Sequence, residues 1–589
     1  MKYDLILITD NQFSMSIETL PSEVIDLIAA GEVIDSLLAV VRELVENALD
    51  AKATRVSLSL YPELWQVQVS DNGTGMSIED LRICAQPHST SKIRNSKDLW
   101  YITSLGFRGE ALHSISQVAD LSICSRLKGR LDAVGWQIDY QQGTAVTEEA
   151  IAIAPGTIVT ASNIFGQLPV RRRGLPEPSV QLKAVQKLIQ HLALCHPEIT
   201  WQVKQNERVW FHLSSGNNAQ QVLPQFLRKA TSSDLQFLKL SEQQPAESHE
   251  QLEYGRTAVR PYNHEQPATI ELTLGLPDRL HRYKADWIIV AVNGRVVRCP
   301  ELEQVIVTGM ARTLPRERYP VAFLHLHLDP SGIDWNRHPA KAEIYLHSLG
   351  YWQERVSHAI ERALKLNNDS VPQIGDRRIS QVLKAAEASG SYSLEPTDSS
   401  AKKPINEIGS LSLKAIAQVN KTYIVAEHPY GLWLVEQHIA HERILYEQLQ
   451  DEWQLVPLDN PIVLNNLKQS QVQQLQQIGI AIEPFGAGLS MVRNAPEALA
   501  KREDCQDALL ELSWGGDLQT AQVATACRTA IRNGKELNAK TMQYILDRWQ
   551  STRNPRTCPH GRPIYLSLEE TTLSRFFRRH WVIGKSHGI

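Results

Sequence analysis

Seven cysteines in 589 residues, at positions 84, 124, 195, 299, 505, 527 and 558, are too few and too scattered for a disulfide framework. The odd count argues for a reducing compartment, and the cytoplasm is the expected location. No apolar run approaches the roughly 20 residues of a membrane span. The opening MKYDLILITDNQF lacks the basic start and long apolar centre of a signal peptide. A general excess of basic charge is missing too. The net charge of −4 and a pI near 6.6 exclude a uniformly basic nucleic-acid coat, though not a local basic groove. There is no internal repeat and no P-loop. The GKS at 584–586 would put that motif's first glycine at Arg579 and leaves no room for a helix after it.

What is present is a chain 42% hydrophobic and 21% charged, long enough for about three or four domains. Residues 1–14 read as an N-terminal extension, since Met15 opens a capped amphipathic stretch, MSIETLPSEVIDLIAAGEVI. Residues 15–215 read as an α+β domain. The pattern there predicts helices near 22–35, 38–51 and 180–195 and the alternating strands TRVSLSLY and WQVQVSDNG. Residues 216–366 read as a second α/β domain, with WIIVAVNGRVV, a helix near 300–314 and the alternating YPVAFLHLHLDP. A polar, Ser- and Pro-rich linker covers 367–409, and alternating strands resume in a separate C-terminal domain, 410–589.

The stretch VVRELVENALDA, 40–51, carries apolar residues on one helical face and Glu43, Glu46, Asn47 and Asp50 at i, i+3, i+4 and i+7 on another. Like charges at these spacings cost a few tenths of a kcal/mol per pair, and no Lys or Arg stands at i+4 to offset them. Downstream, Asp71 ends a strand and opens the tight turn of VSDNGTGM, where Gly73 and Gly75 let backbone approach a ligand. HSTSKI follows. Then SLGFRGEAL places Gly106 and Gly109 before a helix start, whose free N–H groups suit phosphate. Together these make a nucleotide site.

ELVENALDA, DNGTGM, GFRGEAL and the later GT at 156–157 resemble, in order and spacing, the four motifs of the GHKL ATPase superfamily. IAAGEVI, HSTSKI, VNGRVVR and HPAK resemble the MutL branch of that superfamily, over about the first 350 residues. The resemblance implies an N-terminal GHKL ATPase α/β sandwich, a transducer domain, a flexible linker and a C-terminal dimerisation domain. It implies ATP and Mg²⁺ as cofactors. Glu43 becomes the general base that activates water, Asn47 the Mg²⁺ ligand and Asp71 the acceptor for the adenine amino group. Gly73 and Gly75 line the base. Thr90, Ser91, Lys92, Gly106, Phe107, Arg108, Gly109, Glu110, Ala111, Leu112 and Thr157 become further nucleotide contacts, and Lys341 a cation delivered to the γ-phosphate from the second domain. Helical i, i+4 spacing suits a base and a metal ligand that must converge on one phosphate.

In the C-terminal domain, His438 and Glu442 stand at i, i+4, and Cys527, Cys558 and His560 follow downstream. Cys, His and Glu together suit Zn²⁺ or a comparable transition metal such as Mn²⁺. The set is similar to that of endonuclease-type members of the family, with two departures, one being Ile439 where the family has Ala. Glu436, the catalytic candidate, stands where the family has Asp, which bears on nicking rather than on metal binding. His325 and His327 point to one side of a strand without a third ligand nearby, and read as a polar strand face. The Arg171–Arg173 cluster reads as a solvated loop with DNA contact as the alternative. The resemblance also implies a homodimer, DNA and MutS as partners, a sliding clamp and a repair helicase further along the pathway, and association with the nucleoid. The segment EWQLVP, 452–457, has Glu452 where a clamp-binding motif has Gln.

Overall fold

The structure, a computed structural model, describes residues 30–92, 104–129, 134–242, 268–334, 344–366 and 413–570, apart from 32, 107, 108, 228 and 229, together with residue 573. The expected extension 1–14, all but the end of the helix near 22–35, the linker 367–409 and the GKS at 584–586 lie outside the described residues. So do Phe107, Arg108 and Lys341. The chain divides into two compact units, one of residues 1–217 with 334–342 and the other of residues 218–333 with 343–589.

The first unit is built on α1, Leu37–Asp50. Ser36 caps it by accepting the Ala39 N–H on its hydroxyl at 3.2 Å, which satisfies one of the donors a helix start leaves open. Leu37, Val40, Val41, Leu44, Val45 and Ala48 are buried at helical spacing. Beneath lies an eight-stranded sheet in the order β5-β4-β3-β6-β2-β1-β7-β8. Its strands are β1 Arg55–Tyr61, β2 Gln66–Asp71, β3 Asp120–Arg126, β4 Gly135–Gln141, β5 Thr144–Ile151, β6 Gly156–Ser162, β7 Thr200–Gln205 and β8 Arg208–Leu213. Only the β1–β7 pair is parallel among these. Val56, Leu58, Leu60, Val67 and Val69 are buried in the central hairpin, where α1 packs on β2 and on the helices α2, Ala111–Val118, and α3, Pro178–Cys195.

The second unit opens with a five-stranded sheet in the order Arg295–Val297, Ile288–Val292, Ala322–His327, Ala268–Gly275, Leu235–Glu242. The helix expected near 300–314 stops earlier, at Pro300–Gly309. Thr313 explains the stop: its hydroxyl and its N–H both return to the Met310 carbonyl, and Arg312 takes a left-handed φ of 59°, so the chain turns out of the helix. Further on, a four-stranded antiparallel sheet runs Lys414–Val419, Tyr423–His428, Gly431–Glu436, Tyr565–Glu569. A second sheet of three strands is formed by Leu455–Asn465, Leu489–Pro496 and Ile482–Pro484.

The four-stranded sheet buries one face on Ile424, Ala426, Trp433 and Val435. Trp433 stacks on Tyr565 at 4.4 Å between centroids and meets Trp549 edge-on at 6.3 Å. Trp549 is fully buried and donates its indole N–H to the Pro555 carbonyl at 2.7 Å, which ties the core to the loop leading to Cys558. Trp549→Ala removes an aromatic anchor and leaves that carbonyl without its donor. It is expected to cost about 3–5 kcal/mol in urea denaturation of the C-terminal transition, whereas Trp549→Phe, which keeps most of the packing, is expected to cost less than half of that.

Candidate nucleotide site and C-terminal metal centre

The candidate nucleotide site is assembled at the C-terminal end of α1. Glu43 and Asn47 lie one turn apart and are partly exposed, while Glu46 of the same acidic stripe is buried. The helix ends where Ala51 returns its N–H to the Asn47 carbonyl at 3.0 Å. The Ala51 carbonyl then accepts the Thr74 N–H at 2.9 Å, which fastens the DNG turn onto the helix end. Asn72 pins the other side. Its Oδ1 accepts the Thr54 and Arg55 N–H groups, both at 2.9 Å. Gly73 is required by this closeness, because a Cβ there would lie 2.6 Å from the Ala51 oxygen. Gly156 is required on the facing strand, with φ of +131° and the Asp71 carbonyl only 2.1 Å from where a Cβ would stand.

Asp71 faces Thr157 across the β2–β6 ladder. Burial pushes its carboxyl up to about 6, although the N–H groups of Gly73 and Thr157 pull the other way. Thr157 shares a hydroxyl contact of 2.9 Å with Ser125, whose Oγ also accepts the Met76 N–H at 2.9 Å. Residues 88–90 meet Gly109 and Glu110 of the Gly-rich lid. Gly109, with φ of +68°, packs where a Cβ would touch Thr90 and Ser89. His88 Nδ1 lies 3.3 Å from a Glu110 carboxylate oxygen. Ala111 and Leu112 open α2, as the motif requires. Lys92 turns inward, and its ammonium reaches the Asn47 side-chain oxygen at 2.9 Å. Ser91 is the more exposed neighbour.

The C-terminal candidates converge around the helix α4, Gln437–Asp451. Glu442, Cys558 and His560 offer ligand atoms within 4.8 Å of one another. The Glu442 carboxylate is fully buried and receives no well-formed hydrogen bond on either oxygen. The nearest cationic groups are His560 Nδ1 at 3.0 Å and Arg562 Nη2 at 3.8 Å. Burial would raise the Glu442 carboxyl, but His560, with Arg562 and His438, outweighs it, so the group sits below its ordinary value. The Cys558 sulfur and Glu442 together push His560 up to about 9. A buried carboxylate whose close partners are an imidazole and a thiol fits a soft-to-borderline divalent metal.

His438 and Cys527 lie close enough to feel the Glu442 charge but fall outside that group of three. His438 donates its Nδ1 proton to the Ile531 carbonyl at 2.9 Å, which places the lone pair on Nε2, the arrangement usual in metal-binding histidines. The loop before Cys558 is held by the buried Arg443, which donates to the Thr557 carbonyl and to the Arg312 carbonyl, each at 2.8 Å. Glu436 does not point away as an idle carboxylate. It caps α4, accepting the Ile439 N–H on one oxygen and the Asn533 amide on the other.

His441, whose Nδ1 accepts the Ile531 N–H at 3.0 Å, and Asn533 escaped the sequence reading. The i, i+3 spacing from His438 was the available signal for the first; nothing local marked the second. One sequence expectation is corrected. His325 and His327 do have a third potential ligand nearby, Glu271 on the neighbouring strand. The polar-face reading nevertheless suits the geometry. His325 Nε2 accepts the Gly294 N–H at 2.9 Å, and Lys239 takes a Glu271 oxygen at 2.8 Å.

Three family models match in succession: "Histidine kinase-, DNA gyrase B-, and HSP90-like ATPase" over residues 35–160, "DNA mismatch repair protein, C-terminal domain" over 253–365, and "MutL C terminal dimerisation domain" over 416–537. The DNA mismatch repair protein MutL of Rippkaea orientalis is 58% identical over 98% of this chain and 100% of its own length. The chain belongs to the MutL family of DNA mismatch repair proteins. A Nostoc member is 56% identical over 98% of this chain, and one from Pelotomaculum thermopropionicum 31% over 94%. The solved structure titled "Aquifex aeolicus MutL ATPase domain complexed with ADP" is 22% identical, covering 56% of this chain and 98% of that one, with a TM-score of 0.36. As a MutL family member with a GHKL ATPase domain, the protein is an ATPase of mismatch repair. No helix among the described residues is long and apolar enough to cross a membrane.

The burial of Asp71 carries a stability consequence with a definite sign. Its folded pKa of about 6 exceeds the ordinary 3.8, so the fold favours the protonated form. The ionised carboxylate therefore costs stability above pH 6, and the cost fades as pH falls towards 3.8. Asp71→Asn is expected to raise the melting temperature of the nucleotide-free ATPase unit at pH 8, with the gain shrinking between pH 6 and pH 4. Differential scanning calorimetry across that range checks it.

Proposed function

We propose that this protein is an ATP-driven dimeric clamp that couples mismatch recognition by MutS to strand incision and excision on DNA. The observation that carries the reading is the convergence of Glu43, Asn47, the Asp71 turn and the Gly-rich lid on one end of one helix. Glu43 takes the proton of the attacking water. Asn47 would hold Mg²⁺, which when bound neutralises phosphate charge. Asp71 accepts the adenine amino hydrogen, and the backbone from Gly106 to Leu112, including Phe107 and Arg108, encloses the phosphates. Lys341 supplies a cation from the second domain, so that nucleotide state and domain arrangement depend on each other.

The C-terminal domain makes the homodimer. One face of its four-stranded sheet leaves Ile416, Val419, Tyr423 and Leu432 exposed, between 39 and 50%. Val425, Leu434 and Leu566 lie in register across the same sheet. An apolar sheet face of this kind matches the dimerisation domain named by the family model. Glu442, Cys558 and His560, with His438 and Cys527 beside them, would hold Zn²⁺ or Mn²⁺. Glu436 at the head of α4 is then the catalytic candidate for nicking. The Arg171–Arg173 helix, with Arg172 stacked 4.6 Å over Trp65, offers a basic patch for DNA. Work in the cytoplasm, at the nucleoid, follows from this role, with a sliding clamp and a helicase acting after it.

A second reading is favoured by one observation. Both Glu436 oxygens are engaged in capping and in the Asn533 contact, as a residue with a purely structural duty would be. In that case the domain dimerises and docks partners without nicking.

Glu43→Ala is expected to abolish ATP hydrolysis with nucleotide binding preserved, while Asn47→Ala weakens Mg·ATP binding itself. Equal loss of binding in both variants contradicts the division of roles. Cys558→Ser combined with His560→Ala is expected to lower bound zinc and to destabilise the C-terminal domain, since coordination energy is partly folding energy. Elemental analysis giving wild-type stoichiometry in the double variant would exclude the site. A supercoiled-plasmid assay with Mn²⁺ separates the two readings: nicking that Glu436→Gln removes supports the first, and intact plasmid with wild-type metal content supports the second.

A further inference from the structure

One member of the acidic stripe on α1 is explained neither by the water-activating base nor by the magnesium ligand. Asp50 accepts the Leu105 N–H on Oδ1 at 2.9 Å and the Gly106 N–H on Oδ2 at 3.0 Å. The same Oδ2 accepts the Lys92 ammonium at 2.5 Å. That ammonium also donates to Asn47 Oδ1. The Asp50 and Lys92 side chains are only 12 and 21% exposed, so solvent and salt screen the pair weakly. Gly106 completes the arrangement: a Cβ there would stand 3.1 Å from Lys92 Nζ and 3.5 Å from Asn47 Oδ1.

We infer that Asp50 is a positioning residue of the ATPase: it fastens the phosphate lid to α1 and holds the Lys92 ammonium against the side-chain oxygen that Mg²⁺ needs. The inference rests on Asn47 being the magnesium ligand. An ammonium within hydrogen-bond distance of that oxygen repels a second cation there. Loading therefore requires Lys92 to leave Asn47, and the negative phosphates of the nucleotide give its charge a new partner. Asp50 holds Lys92 and the Leu105–Gly106 backbone through one carboxylate, so the departure of the lysine and the setting of the lid are felt by the same group. The arrangement also supplies what the helix lacks locally. At the C-terminal end of the stripe, beside Asp50 and Asn47, the positive charge comes from Lys92 of the HSTSKI segment.

Hydrogen exchange on the full-length, nucleotide-free protein tests the anchor. The Leu105 and Gly106 amides are expected to exchange about tenfold faster in Asp50→Asn and Asp50→Ala than in wild type, with thermal melting of the rest of the domain preserved. Should Asp50→Ala fail to fold, Asp50→Asn decides alone, since it retains size and one acceptor. Magnesium titration of the binding of a fluorescent non-hydrolysable ATP analogue tests the parked cation. Lys92→Met is expected to lower the Mg²⁺ concentration at half-saturation several-fold, even if maximal nucleotide affinity falls, and Lys92→Arg, which restores the charge, is expected to return it towards wild type. Unchanged exchange at 105 and 106, or a magnesium requirement that rises in Lys92→Met, overturns the inference. Asn47→Ala separates the two assignments: a retained magnesium dependence there discards Asn47 as the ligand, while the exchange result still judges Asp50 as the anchor.

Discussion

Ala51 and Asp50, neighbours at the end of α1, hold the two loops of the nucleotide site, one through a backbone carbonyl and the other through a carboxylate. The Ala51 oxygen takes the Thr74 N–H, and the Asp50 oxygens take Leu105, Gly106 and Lys92. Both loops are therefore indexed to the helix that carries Glu43 and Asn47, and a shift of the helix end strains both. The glycines follow from the same constraint. At Gly73 a side chain would strike the Ala51 oxygen, and at Gly75 and Gly156 the backbone is left-handed against a carbonyl closer than a Cβ permits. Catalytic geometry tolerates displacements of well under an ångström before rate is lost, which makes a rigid, backbone-tied reference useful.

Much of this was legible in the sequence, and the reason is physical. The hydrophobic spacing of α1 and the alternation of β1 and β2 are local patterns, and the structure places those elements within a residue or two of where the patterns put them. The fold class and the family were likewise readable from long motifs. Long-range polar pairing was not. Nothing in the order of residues indicates that Lys92, 42 positions from Asp50, is the cation that pairs with it. The end of the helix at Gly309 also escaped, because Glu301–Thr308 continues the helical pattern and the stop is set by Thr313 and Arg312 beyond it.

The C-terminal sheet shows how one element serves two surfaces. Strand alternation sends Ile424, Ala426, Trp433 and Val435 into the core and Tyr423, Val425, Leu432 and Leu434 outward. The inner face secures Trp549 and, through Pro555, the approach to Cys558. The outer face remains apolar, which a monomer in water would hold at a cost that association relieves. The candidate ligands Glu442, Cys558 and His560 and this apolar face thus share a scaffold but not residues, and a lesion at one need not unfold the other.

Glu436 sits where these constraints meet. It ends a strand of that sheet and begins α4, which presents His438 and Glu442 on one side. An aspartate there could cap the helix as well, since short acidic side chains are favoured at this position. The extra methylene of glutamate lets the carboxylate fold back to Ile439 while its other oxygen reaches Asn533, which satisfies both acceptors without metal. Recruiting that carboxylate for chemistry means breaking one of these bonds, and a charge-assisted hydrogen bond contributes about 1.5–3 kcal/mol. Metal coordination can offset a loss of that size. A glutamate at this position therefore sets how much energy a metal site would have to recover before its carboxylate could take part in chemistry, and it keeps the acidic group itself in place.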